Sequence, residues 1–391
     1  NKPLWSVGGS WNIYKEKFFQ ADFVDMLKLR ASYGIGGNIG RNTAPYLIAS
    51  YYDSSLVDGM AGSVNTPPNK DIRWEKTTTV NVGVDFALFR HRLSGTIEYY
   101  NKYSVDLLAA INGSPTQGFG YTTLMTNNGK MVNRGVEITL SGEIIRQKDF
   151  SWNASLLYAF NRNKVKHISV QPSLWDSRIS MPTSYPMVGK PLYGIYAYKW
   201  AGLNENGDPQ VYDAENNVTS GPARDYHALV YCGTTVPIHN ASLTNVLRYK
   251  GFEFSAMLIL DAGHKLRSSN IPSINMSNGR ITSTAKGIVD RWTQPGDVTD
   301  VPRLLFSNDT ENFNTHRTEL YRYSDLFVYD ASNIRLSNIS LAYRVPAHWC
   351  KKISLSGARL QFNVENVATF AFDSKANYDL GGKVKPNYVW G

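Results

Sequence analysis

Charged residues, cysteines and long apolar runs are all scarce in this 391-residue sequence. Charged residues make up 19% of the chain, below the roughly 25% of an average soluble domain. Two cysteines cannot build the disulfide framework of a small secreted scaffold. No apolar run, such as those at 107–111 and 256–260, exceeds about five residues, whereas a membrane-spanning helix needs roughly 20. These absences exclude a disulfide scaffold and a helical membrane protein.

Aromatic residues are abundant instead, with 24 Tyr and 9 Trp. This content excludes bulk disorder, which needs few aromatic and β-branched residues. A helical bundle would be rich in Ala, Glu, Lys and Leu, whereas Asn, Ser, Thr, Gly and Tyr fill this chain. The length allows two or three soluble domains or one large all-β unit. No recognition motif accompanies the net charge of +9, so we predict no nucleic-acid partner.

Apolar and polar residues alternate along much of the chain. Stretches with this pattern lie at 27–33, 80–88, 93–100, 136–141, 152–161, 252–261 and 359–365. A period of two predicts β-strands with one apolar and one polar face. In a soluble sandwich the apolar face packs a core, whereas in a membrane barrel it meets lipid. Single strands cannot separate these two interpretations.

The connections between these strands alternate between short and long, which is typical of outer-membrane barrels. We therefore predict short periplasmic turns and long extracellular loops at about 102–133, 162–194, 213–238 and 264–330. Outward strands are predicted near 24–34, 92–102, 151–161, 252–263 and 357–368, and inward strands near 74–89, 134–146, 195–203, 239–249 and 332–345. Two successive inward strands need an outward one between them. The segment 204–213 is either that strand or an external hairpin.

Two local features refine the barrel interpretation. The apolar phase changes between Ile334 and Tyr343, which a β-bulge around Ser337 and Asn338 or a change of membrane depth explains. Aromatics also cluster where strands enter loops, and we interpret them as girdle residues, with ordinary core packing as the alternative. They are Tyr99, Tyr100, Tyr103, Tyr196, Tyr198, Trp200, Tyr321, Tyr323, Phe327 and Tyr329.

Several motifs occur in a fixed order between about residues 20 and 345. They are LKLRASYGIGGN at 27–38, RWEKT at 73–77, NVGVD at 81–85, YYNK at 99–102, DLL at 106–108, NRGVE at 133–137, GKPL at 189–192, WAGL at 200–203, GDP at 207–209 and ASNIRLSNISL at 331–341. Together they resemble the SusC/RagA type of TonB-dependent outer-membrane transporter. The resemblance implies an all-β transmembrane antiparallel barrel of about 22 strands, a plug domain and a TonB box.

The sequence departs from this family pattern in its extent. It starts at Asn1 without an initiator Met or signal peptide, and it contains no plug domain and no TonB box. We count about twelve or thirteen strands. We therefore interpret residues 1–391 as the C-terminal half of such a barrel, and we expect the missing half in the same particle.

No catalytic residue, metal site or cofactor is predicted, because the seven histidines show no metal-binding spacing and no nucleophile motif occurs. Carboxylates on strand faces are expected to face the wet lumen, paired with Arg30, Arg335 or Arg359, rather than to form a glycosidase pair. These carboxylates are Asp85, Glu98, Glu137, Glu253 and Glu365. Cys232 and Cys350 are expected a barrel height apart and therefore not bonded to each other.

Two long segments combine tryptophan with charged residues. Aromatic rings stack on sugar faces, and Arg or Asp reaches hydroxyls or peptide groups, so these residues are our substrate-binding candidates, with loop packing as the alternative. They are Trp175, Asp176, Arg178, Arg291 and Trp292. A basic cluster after an outward strand either meets lipid phosphates or is simply solvated. It consists of Arg162, Lys164, Lys166 and His167.

The resemblance implies import of oligosaccharides or oligopeptides across the outer membrane. The implied partners are a SusD-like lipoprotein, TonB–ExbB–ExbD acting through the missing N-terminal part, outer-membrane lipid and the oligosaccharide or peptide ligand. Two alternatives stay open. One is a passive porin or barrel enzyme that is complete as it stands, and the other is a soluble secreted glycan-binding or glycan-cleaving β-protein.

Overall fold

Strands form most of the computed structural model of the chain. It describes residues 3–40, 46–53, 55, 59–66, 68–112, 116, 123–170, 176–221, 225–276, 285–306, 315–352, 354–381 and 387–390. No helix within these ranges is long and apolar enough to cross a bilayer. The chain divides into two compact units. Unit 1 comprises 1–173, 183–192 and 241–253, and unit 2 comprises 174–182, 193–240 and 254–391.

The described strands are given first and the described α-helices second, each in chain order. The strands are β1 (Trp5–Asn12), β2 (Val24–Asn38), β3 (Ile48–Asp53), β4 (Met60–Thr66), β5 (Glu75–Leu88), β6 (Leu93–Asn112), β7 (Thr123–Arg146), β8 (Phe150–His167), β9 (Gly194–Tyr198), β10 (Trp200–Leu203), β11 (Pro209–Tyr212), β12 (Val218–Thr219), β13 (Leu229–Thr234), β14 (His239–Tyr249), β15 (Phe252–Ala262), β16 (Lys265–Arg267), β17 (Asn275–Met276), β18 (Leu305–Phe306), β19 (Val328–Asp330), β20 (Asn333–Arg344), β21 (Arg359–Ala371) and β22 (Asn387–Trp390). The α-helices are α1 (Ser177–Ser180), α2 (Thr315–Arg322), α3 (Ala347–Lys352) and α4 (Asn377–Gly381).

Unit 1 is a large sheet with the strand order β1-β2-β5-β6-β7-β8-β14. Neighbouring strands from β1 to β8 pair antiparallel. The pairing places the alternating apolar residues of successive strands in common rows. One row is Leu29, Val84, Ile97, Ile138 and Tyr158, and the next is Ala31, Val82, Tyr99, Val136 and Phe160. These two rows define the apolar face of unit 1.

The apolar face stays open to its surroundings. Val82 is 46% exposed and Ile97 is 44% exposed, although both lie in the middle of well-paired strands. A sheet face that packed a protein core would bury these side chains. An exposed apolar face across five strands is therefore the face that a barrel turns toward lipid.

Tight packing on the opposite face explains one glycine of the sequence. Tyr100 lies on that face, is 8% exposed, and its ring packs over Gly135 of the neighbouring strand. A Cβ atom at Gly135 would overlap the Tyr100 ring. The glycine of the NRGVE motif thus makes room for the second tyrosine of the YYNK motif.

Unit 2 contributes a second run of strands, in the order β15-β20-β21-β22. The predicted irregularity near Ser337 is confirmed, because the register between β20 and β21 shifts there: Leu336 pairs with Ala368 but Asn338 pairs with Glu365. The extra residue lies in β21 rather than β20. Asn366 there has φ +55°, the left-handed conformation that Asn tolerates better than most residues and that occurs at bulges.

One predicted barrel strand is wrong. The segment 195–203 does not enter a large sheet: β9 pairs with β13, and β10 pairs with β11 in a separate sheet with β12. The segment 204–213 is accordingly the β10–β11 hairpin and not a membrane strand. In the sheet of unit 1, β8 is followed directly by β14, so no additional outward strand is needed.

The girdle interpretation holds for some aromatics and fails for others. Tyr99 and Tyr103 are more than 40% exposed and lie on the same side of β6 as the apolar face, as a girdle requires. Several others are buried in unit 2, where they lie in short strands and helices and form part of the core. The buried ones are Tyr196, Tyr198, Tyr321 and Phe327.

A buried cation organises the packing of unit 2. Arg317 is 3% exposed, and its Nε donates to Asp208 Oδ1 at 2.9 Å. Arg303 binds both oxygens of the same carboxylate, at 3.0 and 2.8 Å, and Arg317 Nη2 donates to the Arg303 carbonyl at 2.7 Å. Burial lowers the pKa of Arg317, and the Asp208 charge opposes that shift. Asp208 therefore holds α2 against the β10–β11 hairpin.

Both cysteines are free thiols in unit 2. Cys232 lies in β13, and Cys350 is fully buried in α3. Burial raises the pKa of Cys232 from 9.0 to about 11. A thiol with such a pKa is almost entirely protonated near neutral pH and is a poor nucleophile.

Removing the Asp208 charge should loosen unit 2. We predict that Asp208→Asn destabilises it by about 3–5 kcal/mol, because the buried Arg317 loses its counter-charge. Hydrogen exchange of 207–213 and 315–322 in the detergent-solubilised protein measures the effect. Asp290→Asn, which removes an exposed carboxylate, should change stability by no more than about 0.5 kcal/mol. Equal exchange in both variants would contradict the assigned role of Asp208.

Cys232 should react slowly with alkylating agents. Because its pKa is two units above that of an ordinary thiol, the thiolate fraction and the iodoacetamide rate at pH 8 should both fall roughly a hundredfold. Peptide mass spectrometry measures the rate against a cysteine placed at the exposed Ala214 by Ala214→Cys. Similar rates at the two positions, or a Cys232–Cys350 peptide under non-reducing conditions, would show that the thiol environment is assigned wrongly.

Candidate functional site

The polar face of unit 1 carries a ladder of ion pairs. Arg30 in β2 donates from Nε to Asp85 Oδ2 at 2.8 Å and from Nη2 to Asp85 Oδ1 at 3.0 Å. The same Nη2 reaches Glu98 Oε2 at 3.5 Å. Thr96 Oγ1 also donates to Asp85 at 3.0 Å, and Asn81 binds Glu98. The ladder crosses three strands and leaves a hydrogen-bonded, partly exposed polar surface.

Strand register explains why this ladder forms. Gly83 of β5 pairs with Arg30 on one side and with Glu98 on the other. A Cβ atom at Gly83 would lie 3.1 Å from the Arg30 guanidinium, so the glycine lets the side chain lie across β5. The NVGVD motif thus combines the glycine that admits Arg30 with the aspartate that holds it.

The predicted pairing of strand-face carboxylates is confirmed for Asp85 and Glu98, both of which bind Arg30. Arg335 is 3.8 Å from Asp261, which was not among the predicted carboxylates. Glu253 binds Arg248 at 2.7 Å. Carboxylates that arginine holds by charge-assisted hydrogen bonds in this way suit a polar wall.

The described ranges hold no group of three or more His, Cys, Asp and Glu side chains that could bind a metal ion. The polar face offers charged and hydrogen-bonding groups, among them Arg30, Asp85 and Glu98. Such a face can contact water and polar solutes that pass along it.

Two of the substrate-binding candidates lie at helix α1 of unit 2, with Arg178 in the helix and Asp176 directly before it. The Arg178 guanidinium stacks over the Tyr226 ring at 4.8 Å, and its Nε is buried without a hydrogen-bond partner among the described residues. Asp176 precedes α1, and its carbonyl accepts from the Ile179 and Ser180 amides. Trp175 lies outside the described residues. Arg178 and Tyr226 together present a planar cation beside an aromatic ring.

The other two candidates are in a loop that is closed on itself. Trp292 packs its indole directly over Gly207, where a Cβ atom would overlap the ring. Asp297 closes the turn by accepting from the Thr293 amide at 2.8 Å and the Gln294 amide at 3.0 Å. The hydrogen bonds from Thr293 lower the pKa of Asp297. Arg291 is exposed at the edge of this loop.

The contacts of this loop reach the Asp208 cluster. Arg303 donates its backbone amide to the Gly207 carbonyl at 3.0 Å, so the glycine under Trp292 adjoins the carboxylate that holds Arg317. Trp292 has a packing role here, and contact with ligand stays a prediction for it. Arg291 has an exposed side chain and is the better placed of the two for a solute.

The sequence motifs did not predict two arginines that join segments of unit 2, the buried Arg317 and the half-buried Arg267. Besides Arg317, Arg267 donates to the Tyr196 carbonyl at 2.6 Å and to the Ser324 carbonyl at 3.3 Å. Burial lowers the pKa of Arg267. The GDP motif is the part of the sequence that could have indicated Arg317, because its aspartate, Asp208, is the shared partner of Arg303 and Arg317.

The chain matches a family described as "TonB dependent receptor-like, beta-barrel" over residues 1–367. TonB-dependent receptor P3 of Formosa agariphila is 27% identical over 97% of this chain and 39% of its own length. TonB-dependent receptor SusC of Bacteroides thetaiotaomicron is 26% identical over 92% of this chain and 36% of its own length. The chain thus spans less than two-fifths of each of these two relatives.

Solved structures show the same fold. The RagAB peptide transporter superposes with a TM-score of 0.74 at 24% identity, over 94% of this chain and 40% of that chain. The RagAB peptide importer in its closed-closed state gives 0.75 at 23% identity, over 95% of this chain and 40% of that one. The all-β architecture predicted from alternation is therefore confirmed.

The packing role of Trp292 can be separated from ligand binding. We predict that Trp292→Ala destabilises the 291–301 loop by about 2 kcal/mol, because the indole loses its contact with the Gly207 turn. Arg291→Ala should change stability by at most about 0.5 kcal/mol. Hydrogen exchange measured over 291–301 distinguishes the two. Unchanged protection of 291–301 in Trp292→Ala would contradict the packing role of the indole.

Proposed function

This chain belongs to the TonB-dependent receptor-like β-barrel family, and from this premise we propose that it forms part of the wall of an importer. The importer is of the SusC/RagA type and lies in the outer membrane. It takes up oligosaccharides or oligopeptides together with a SusD-like surface lipoprotein. Energy comes from TonB–ExbB–ExbD, acting on parts of the protein beyond residues 1–391.

The two-faced sheet of unit 1 is the observation that carries this proposal. One face has exposed apolar rows that include Val82 and Ile97, and the other has the Arg30–Asp85–Glu98 ladder. A wall between lipid and a wet lumen needs both. A soluble glycan-binding protein would have to leave the apolar face uncovered in water, which large exposed apolar patches make unfavourable.

Strand connections support an orientation for the wall. The turns between β5 and β6, β7 and β8, and β14 and β15 are short, and we place them in the periplasm. The long segments at 102–133, 162–194, 213–238 and 264–330 then lie outside the cell. Strands β6 and β7 continue into the first of these, up to Asn112 and from Thr123, which extends the wall beyond the bilayer.

External segments supply the candidate contacts for ligand and partner. Arg178, with Tyr226 beside it, suits a sugar face or a peptide carboxylate, since a guanidinium binds carboxylates and stacks on planar groups. The other described candidates for ligand contact are Asp176, Arg291 and Trp292. The similar RagAB protein is a peptide transporter, so peptides belong in any screen of this one.

Deletion of the gene that encodes the full transporter tests import. We predict loss of growth and of labelled-substrate uptake on one class, oligosaccharides or oligopeptides, because diffusion through the outer membrane is too slow for large polar solutes. Complementation with the wild-type gene should restore uptake, and a protonophore should abolish it again. Arg178→Ala with Arg291→Ala should reduce uptake, whereas Asp290→Asn should leave it unchanged.

Three results would contradict the proposal. Unchanged growth on every candidate substrate, in a strain without related transporters, would remove the import function. Uptake that persists with a protonophore would favour the passive porin. Failure of a SusD-like lipoprotein to copurify with the full transporter in mild detergent would remove the partner.

A further inference from the structure

Four cations cluster on unit 1 in the part of the sheet formed by β7 and β8. Arg134, Arg162, Lys164 and Lys166 all have exposed side chains and line one cleft. Its apolar base includes Val132 and Phe160, and Gly189 and Pro191 complete its lining. We name this site the cationic cleft. The ion-pair ladder on the polar face does not include any of these cations.

Register places the cationic cleft on the apolar face. Arg134 pairs with Asn101 of β6 and with Arg162 of β8. This row follows directly on the apolar row that contains Tyr99, Val136 and Phe160, two residues further along each strand. Because side chains two apart share a face, the guanidinium groups lie on the lipid side of the wall and not in the lumen.

The position along the strands matches the edge of the bilayer. From Leu93 near the short turn to Asn101 is eight residues along β6, which at ~3.4 Å per residue is ~27 Å. With the ~40° tilt of barrel strands this corresponds to ~21 Å of height, close to the ~25 Å apolar band of such barrels. Tyr103, exposed on the same side of β6, marks the same level as a girdle residue.

The cations of the cleft lack compensating charge. Like charges directly opposite each other on neighbouring strands are destabilising, and Arg134 lies directly opposite Arg162. The described lining of the cleft contains no carboxylate. Arg134 Nε donates to the neutral Asn101 Oδ1 at 3.1 Å. A sheet that places four cations together without an acid provides a site for an external anion.

The cleft has a built shape. Its volume is about 390 Å³, and the GKPL segment closes one side by backbone pairing with β8. Val165 donates to the Lys190 carbonyl at 2.9 Å, and Gly189 donates to the Val165 carbonyl at 2.8 Å. Gly189 has φ +87°, which favours glycine at this turn. The paired backbone holds the lysine-bearing end of β8 in place beside the two arginines.

We propose that the cationic cleft binds the phosphate of a phosphorylated glycolipid in the outer leaflet. Arginine binds phosphate through paired N–H donors, and lysine adds charge to the same oxygens. The acyl chains would then lie along Phe160 and Val136 of the adjacent apolar row. This inference rests on the membrane placement in the proposed function, but not on the identity of the imported substrate.

Lipid binding by the full transporter tests the proposal. The protein is placed in phosphatidylcholine nanodiscs that contain lipid A or dephosphorylated lipid A, and retained lipid is measured by native mass spectrometry. We expect retention of lipid A only. The triple variant Arg134→Gln, Arg162→Gln, Lys164→Gln should weaken retention roughly a hundredfold, at about a fivefold loss for each cation near the membrane surface.

A matched variant removes the same charge at the short-turn end of the sheet. Arg90→Gln, Lys148→Gln, Lys250→Gln changes three exposed cations and should retain lipid A like the wild type. Equal loss in both triple variants would reduce the effect to general charge attraction and overturn the site. Complete competition by inorganic phosphate would assign the cleft to a free anion and overturn the lipid assignment.

A second measurement needs no variant, and it therefore decides the question even if the substituted proteins assemble poorly. In the wild-type protein, lipid A should slow hydrogen exchange at 160–166 relative to dephosphorylated lipid A. No difference there would overturn the proposal without any substitution. Uptake of substrate is assayed separately in the same variants. Lost lipid retention with normal uptake supports the lipid assignment of the cleft. Lost uptake with normal lipid retention counts only against the proposed import function.

Discussion

Strand register is the constraint on which the rest of unit 1 depends. Each residue from Met26 to Asn38 on β2 has a fixed partner on β5, and a slip of one position would exchange the apolar and polar faces of the whole strand. In lipid such a slip would place Arg30 or Asp85 in hydrocarbon, which is costly. The same pairing also satisfies the backbone N–H and C=O groups that a bilayer leaves without water.

The register also fixes where glycines and charged side chains lie next to each other on neighbouring strands. Gly83 and Gly135 remove side chains where Arg30 and Tyr100 lie across a neighbouring strand, so the polar face can be dense while the apolar face stays smooth. The cationic cleft follows from the same geometry. The row that continues the apolar face beyond Phe160 carries Arg134 and Arg162, and this change from apolar to cationic marks where hydrocarbon gives way to headgroups.

Unit 2 is stabilised in a different way. Its short strands cannot bury a large core alone, and Asp208 joins Arg303 and Arg317 to hold a hairpin and a helix together. The apolar cluster of Ile274, Tyr321 and Phe327 adjoins this polar centre, because Arg317 also donates to the Ile274 carbonyl. Trp292 packs on the Gly207 turn. In the proposed importer this packing holds the loop that carries the exposed Arg291.

Alternation in the sequence predicts β2, β5 to β8 and β14 of unit 1 and the two faces of these strands, because a period of two persists in windows such as Val80–Leu88. It did not predict β1, β3 and β4. The family motifs, in order, also indicated the fold that the solved relatives confirm. Alternation could not identify strand partners, however. Tyr196 and Tyr198 were predicted to lie in a membrane strand. They belong instead to β9, which pairs with β13 in a small sheet and whose five residues are all buried. Only the tertiary structure placed Trp292 over Gly207 and Arg134 opposite Arg162, since both contacts join residues far apart in the chain.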